Sequence, residues 1–259
     1  MQPDPADVGA PDAPEVPAGA GPAGAGYCWE AYRDGVRDGL ERGKLGLSAL
    51  LAEVMEAQKG FPENREQNRN TVRRGVLLDL LADKVRPAMA RRDFEVETAN
   101  TMGASSEPAR MPWIRVFDKK LAPRVADPRW FLLILFTERE VVLTINRGVT
   151  EPAHNGKFCP SSPKQLKECA EEARRHLGLT REEKPPRGRF DISDHLDAGS
   201  QATAFAAANV VGFVHHQDPF HDMPGRSADR FEEDLDKLAL YLAKLNVAVR
   251  NGHKFKVEP

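Results

Sequence analysis

The chain has 259 residues, 41% of them hydrophobic and 29% charged, with a net charge of −2. That allows one large domain or two small ones, and no apolar run reaches the ~20 residues that a membrane-spanning helix needs. The N-terminus lacks the basic start and apolar stretch of a signal peptide, and Cys28, Cys159 and Cys169 have neither paired nor zinc-like spacing, so a cytoplasmic protein with reduced thiols is expected.

The net charge hides an asymmetry. Between Glu107 and Phe190 there are 17 Lys and Arg against 11 Asp and Glu, a surplus of +6. A basic middle suits a polyanionic partner.

Met1–Gly26 is rich in Pro, Ala and Gly and has almost no bulky apolar side chain, so it reads as a disordered tail. A helical N-terminal region is expected over residues 27–92. Trp29, Val36 and Leu40 have helical spacing, and Gly43 is a plausible stop. Leu47, Leu50, Leu51, Val54 and Met55 share one helical face up to Gly60 and Pro62. Glu63–Asn70 reads as a loop. A third helix is predicted over Thr71–Val85, with Val72, Val76, Leu77, Leu80, Leu81 and Val85 on one side and Pro87 closing or kinking it.

Residues 93–259 form the second expected region. Phe94–Thr98 alternates as a strand does. Asn100–Arg110 is small and polar, a loop. In Trp113–Phe117, alternation puts Trp113, Arg115 and Phe117 on one face and Ile114 and Val116 on the other. Asp118–Arg129 reads as a loop carrying Lys119, Lys120, Arg124 and Arg129. Trp130–Phe136 and Val141–Ile145 are near-continuous apolar runs joined by a polar link. They predict a central hairpin covered on both faces.

Further on, Ser162-Pro163 predicts a helix start, and Leu166, Ala170, Ala173 and Leu177 an amphipathic helix ending at Gly178. Phe190–Ile192 is a possible strand. Ala202–Val214 reads as a strand pair or as a helix followed by a strand. Ser227 is the expected cap of a last helix, with Phe231, Leu235, Leu238, Leu242 and Leu245 as its buried stripe and Asn251-Gly252 as its end. The fold class is α+β: a mixed or antiparallel sheet flanked by helices and preceded by a helical region.

Phosphate-binding GxxxxGK[ST], dinucleotide-binding GxGxxG, GxSxG and HExxH motifs are absent. His215, His216 and His221 in HHQDPFHD are metal-ligand candidates, against the plainer reading of a solvated loop. Asp93, Glu95 and Glu97 place acids at strand spacing, as a magnesium nuclease does, but no lysine follows them in the usual way.

The stretch from Arg110 to Val149 resembles the N-terminal DNA-binding domain of McrB-type modification-dependent restriction proteins. The pattern is a polar Gly-containing loop (Gly103–Ser106), Met111-Pro112-Trp113, a variable loop (Asp118–Arg129), then Trp130–Phe136, Val141–Ile145 and Gly148. A helix at Lys164–Leu177, an aromatic strand around Ala204–Val214 and a closing helix from Ser227 extend the resemblance over about Phe94–Val247. It implies binding of duplex DNA that carries 5-methylcytosine, with the modified base flipped into an aromatic-lined pocket. Trp113 matches the pocket tryptophan, and Phe131 and Leu135 the strand positions lining it. A further wall falls in Ser200–Phe205: Ser200 stands where an aromatic is expected, and Phe205 supplies the ring. Ser105 or Ser106 falls where a residue fills the gap left in the duplex.

The residues themselves agree with that picture. A flipped base needs a flat apolar slot and polar groups for its Watson–Crick edge. Trp113 and Phe131 offer rings; Ser105, Ser106, Asn146 and Gln201 offer polar groups. Lys119, Lys120, Arg124 and Arg129 are candidate phosphate contacts. The expected function is a methylcytosine-DNA reader without a cofactor or catalysis of its own, acting alone or with a separate effector protein. The alternatives are a metal-dependent nuclease for modified DNA and a peptide-binding module.

Overall fold

In the computed structural model of the chain, the described residues are 34–35, 37–38, 45–59, 67–101, 108–121, 130–148, 150–152, 158–197, 200–216, 224–253 and 255. The chain divides into two compact units, Met1–Lys44 and Leu45–Pro259. In the first, Asp34, Gly35, Arg37 and Asp38 are described, and all four are helical. The expected tail lies outside the described residues.

The second unit is α+β. Its elements run α1 (Leu47–Gln58), α2 (Gln67–Ala90), β1 (Phe94–Thr101), β2 (Pro108–Asp118), a 3-10 turn (Lys119–Leu121), β3 (Trp130–Phe136) and β4 (Glu140–Arg147). They continue with β5 (Thr150–Pro152), β6 (Phe158–Pro160), α3 (Pro163–Leu177), a second 3-10 turn (Ser193–His195), α4 (Ser200–Ala208), β7 (Gly212–His216) and α5 (Pro224–Arg250). Strands β1-β2-β3-β4-β7 form one sheet in that order, and every neighbouring pair is antiparallel. β5 and β6 pair separately. Helices α1 and α2 belong to the same unit as the sheet, so the expected division near residue 92 is not a boundary between compact units.

The sheet has two unlike faces because side chains alternate along each strand. One face carries Ile114, Val116, Leu132, Ile134, Phe136, Val141, Leu143 and Ile145, all buried. Helices α1 and α5 pack on β3 and β4, and α2 on β1 and β2. The predicted stripe of α5 (Phe231, Leu235, Leu238, Leu242, Leu245) is buried throughout. The helix begins at Pro224, before the expected cap at Ser227, because a proline with its fixed φ suits the first helical turn.

α2 is longer than its apolar spacing predicts. It starts within the expected loop and runs through Pro87 to Ala90. Met89 is fully buried and anchors the last turn to the core, which offsets the hydrogen bond that Pro87 cannot donate. Arg86 closes the same corner by donating to the Val96 carbonyl at 3.3 Å, on the outer edge of β1.

α3 starts as its sequence predicts. The Ser162 hydroxyl accepts from the Gln165 amide at 3.2 Å, and the Ser162 amide donates back to the Gln165 side chain at 3.0 Å. Gly178 ends the helix at φ 70°, a left-handed conformation that suits glycine.

Of the two readings of Ala202–Val214, the helix followed by a strand is correct. The aromatic strand around Ala204 is thereby corrected: Ala204 and Phe205 are helical, in a run of alanines with high helix propensity. Phe190–Ile192 is not a strand; the bridge there joins Arg189 to Gly212. A Cβ on Gly212 would lie 2.9 Å from Ile192 Cγ2, so glycine at this position lets the 189–196 segment lie down on β7.

Candidate nucleic-acid interface

The second face of the sheet carries the site. In β2 and β3, Trp113 is the direct partner of Leu135 and Arg115 of Leu133. In β3 and β4, Phe131 faces Asn146 and Leu135 faces Val142. Met111, Leu133, Leu135, Val142, Ile192, Ala202 and Phe205 form one buried cluster on this face, with Trp113, Phe131 and Leu196 packed against it. The structure therefore brings together Trp113, Phe131, Leu135 and Phe205, which sequence reasoning had assembled from three separate segments.

Coverage of this face is uneven. Among the described residues, α4 and the Ile192–Leu196 segment lie over β4 and β7 and their neighbours. The part built from β1, β2 and β3 stays more open. Trp113, Phe117 and Phe131 are half-buried there, whereas Phe94, Trp130, Phe136 and Phe213 are at most 4% exposed.

At the centre of the open part is a residue that sequence reasoning placed on this face but not in the site. The Arg115 guanidinium lies 5.7 Å from the ring centre of Trp113, 5.1 Å from Phe117 and 5.6 Å from Phe131. It pairs with Glu97 of β1 at 2.5 Å, and its side chain is 18% exposed. Its Nε is buried without a hydrogen-bond partner among the described residues. A guanidinium stacks on aromatic faces and is held by cation–π attraction, so the expected flat slot has a cation at its centre. The alternation of Trp113, Arg115 and Phe117 was the available signal; the ring of Phe131 comes from another strand.

Asn146 has a different place from the one expected. It is fully buried, and its amide donates to the Thr144 hydroxyl at 2.8 Å. Thr144 in turn donates to Asn209 Oδ1 at 2.6 Å, and Asn209 donates to the Phe190 carbonyl at 3.0 Å. Arg174 completes the network by donating to the Val210 and Phe190 carbonyls at 2.7 and 3.1 Å. This network ties α3, α4 and the 189–196 segment to the sheet. Asn146 is part of that frame rather than a group facing solvent.

Lys119 and Lys120 lie at the Phe117 end of the aromatic face, away from Trp113. Lys119 and Lys120 are six and seven positions beyond Trp113, roughly 20 Å along the strand direction. Each is an exposed lysine in an ion pair, Lys119 with Glu95 and Lys120 with Asp93, both at 2.7 Å. The hydrogen bond and charge of Glu95 raise the pKa of Lys119, and those of Lys120 lower that of Asp93. These pairs border a cavity of about 520 Å³ lined by Arg86, Phe94, Glu97 and Phe117 among others, and Trp113 is not on its wall. By contrast Arg139 is exposed on the β3–β4 turn, at the Leu135 end of β3. Ser105, Ser106, Arg124 and Arg129 lie outside the described residues. Ser200 and Gln201 open α4, but their side chains lie outside the description.

His215 and His216 do not converge on one site. His215 and His216 are successive strand residues and point to opposite faces. His215 Nε2 lies 3.4 Å from Asp234, towards α5, while His216 and His195 reach the two oxygens of Glu140 at 2.9 and 2.8 Å. His221 lies outside the described residues. Among those described, no group of three or more His, Cys, Asp or Glu is arranged to hold a metal ion. Cys169 is buried, beside Arg147 and the Phe255 carbonyl. No helix of the described residues is long and apolar enough to cross a membrane.

Fold and site define an α+β domain whose antiparallel sheet is sealed by helices on one face and presents an aromatic, cation-centred surface on the other. The family model described as "MrcB-like, N-terminal domain" matches residues 56–246, and the chain belongs to that family. The match spans α1's last turn to α5, which agrees with the single compact unit. Membership carries DNA binding in the setting of modification-dependent restriction. No curated protein and no solved structure matches the chain.

Proposed function

We propose that this chain binds duplex DNA carrying 5-methylcytosine and receives the modified base, turned out of the helix, against the face formed by Trp113, Phe131 and Arg115. One observation carries the reading: the half-buried rings of the sheet gather on one face around Arg115, while its other large rings are buried. A base extruded from a duplex is held by stacking on such rings and by hydrogen bonds to its Watson–Crick edge. Arg139, exposed on the turn that follows β3, is the cation this reading assigns to a phosphate.

Catalysis, in this reading, belongs to a separate effector. The acids considered for a nuclease, Asp93, Glu95 and Glu97, each face a cation across the β1–β2 end of the sheet, which supports a structural role for them. A gel shift with matched duplexes, one methylated and one plain, tests the reading. Tighter binding of the methylated duplex, with no cleavage across a series of divalent metals, is the expected result. Equal binding of the two, or metal-dependent cleavage, contradicts it.

A further inference from the structure

A pocket that recognises 5-methylcytosine by its methyl group meets a difficulty of chemistry. Thymine carries a methyl at the same ring position, and every duplex is full of thymine. Burial of a methyl separates methylcytosine from cytosine and leaves thymine as a competitor. What distinguishes those two bases is the Watson–Crick edge. Cytosine presents a donor at N4 and acceptors at N3 and O2. Thymine presents an acceptor at O4, a donor at N3 and an acceptor at O2.

Resting on the function proposed above, we infer that Arg115, oriented by Glu97, is the residue that reads this edge and rejects thymine. A carboxylate beside a guanidinium offers an acceptor followed by donors, the complement of cytosine's donor, acceptor, acceptor. Against thymine the carboxylate faces O4 and a guanidinium donor faces N3–H, so two of the three positions oppose like groups. Three features of the structure support this. The pair is intact, with Arg115 and Glu97 at 2.5 Å. The guanidinium stands at 5.1 to 5.7 Å from three ring centres, which hold it by cation–π attraction without using its donors. Its Nε is buried and has no acceptor among the described residues, so the terminal nitrogens, beside Glu97, are the donors open to a ligand. A phosphate is the poorer match: Glu97 already neutralises the cation, and the carboxylate beside it would repel an anion.

The test uses the full chain and three duplexes that differ at one position: cytosine, 5-methylcytosine or thymine, each correctly paired. The parent protein is expected to prefer methylcytosine over thymine by on the order of ten- to a hundredfold, the discrimination open to a bidentate contact. Arg115→Met keeps the stem between the rings and removes the donors; the ratio should fall to about threefold or less. Because the same duplexes are compared in both proteins, the cost of extruding each base cancels. Arg115→Lys keeps the charge and loses the planar fork, so it should lose the ratio as well, and it serves if the methionine variant does not fold. A ratio unchanged in these variants, or a parent that binds methylcytosine and thymine equally, overturns this inference and leaves methyl recognition standing. A parent that binds methylcytosine no better than cytosine overturns both.

Discussion

Trp113 and Leu135 are direct cross-strand partners on one face of the sheet, yet Leu135 is 0% exposed while Trp113 is half-buried. The leucine is the floor and the tryptophan is the surface. Their truncations should therefore fail in different ways. Leu135→Ala opens a cavity in the core and is expected to cost about 2–5 kcal/mol of stability. Trp113→Ala removes a stacking platform worth roughly 1–3 kcal/mol per base, so binding of methylated duplex should fall by about 10- to 100-fold while the circular dichroism spectrum is kept. Urea unfolding and titration of both variants check this; a Trp113→Ala protein with undiminished affinity removes Trp113 from the site.

The two sets of cations should also differ. Arg139 is exposed on the turn beyond the Leu135 end of β3, whereas Lys119 and Lys120 are engaged by Glu95 and Asp93 at the far end of β2. Arg139→Glu is expected to weaken methylated and plain DNA alike and to flatten the salt dependence of binding by about one unit. Neutralising Lys119 and Lys120 together should leave the salt slope within about one unit of the parent. A drop of about two units in the lysine variant would return those residues to the phosphate backbone.

Acid should loosen the β7–α5 interface. Burial, with Arg187, His216 and Arg230 adding to it, lowers the pKa of His215 from 6.5 to about 4. The ring is neutral near pH 7, so its 3.4 Å approach to Asp234 is not an ion pair between charged groups. In the unfolded chain the same group takes a proton near pH 6.5. Below that pH the unfolded state binds more protons, and stability falls as the pH drops from about 6.5 towards 4, by on the order of 3 kcal/mol in all. Asp234, whose pKa burial raises, works in the opposite sense and offsets part of the loss at the acid end. His215→Gln should flatten the decline of the urea midpoint between pH 6.5 and 4. An unchanged slope would show that other groups carry it.

Ser162 offers a simpler check on local structure. Its hydroxyl and amide exchange hydrogen bonds with Gln165 at the start of α3. Ser162→Ala should cost about 1 kcal/mol of stability and leave DNA binding unchanged, since α3 supplies no residue to the cluster around Trp113 and Phe131. A loss of affinity at constant stability would contradict that separation.

Local patterns carried the fold further than they carried the site. Alternation in Trp113–Phe117 gave the correct two faces, and the Ser162-Pro163 and Gly178 signals bracket α3 within a residue. Where burial by a distant element decides, the sequence misleads. Met89, held in the core, carries α2 past a proline, and the alanines around Phe205 fold as a helix where the family resemblance implied a strand. The site shows the same division. Trp113, Phe131, Leu135 and Phe205 converge because a motif marked them. The pairing of Lys119 and Lys120 with acids 24 and 27 positions earlier leaves no local trace. Nor does the placing of Arg115 among rings from two strands.

The central claim is that a base leaves the duplex for the Trp113 face. A duplex with a fluorescent base analogue next to the 5-methylcytosine reports this directly, because unstacking relieves its quenching. At saturating protein and fixed salt, fluorescence should rise with the parent chain and rise much less with Trp113→Ala brought to equal occupancy. An unchanged signal with the parent protein at full occupancy would mean that the base stays in the helix, and would contradict the account.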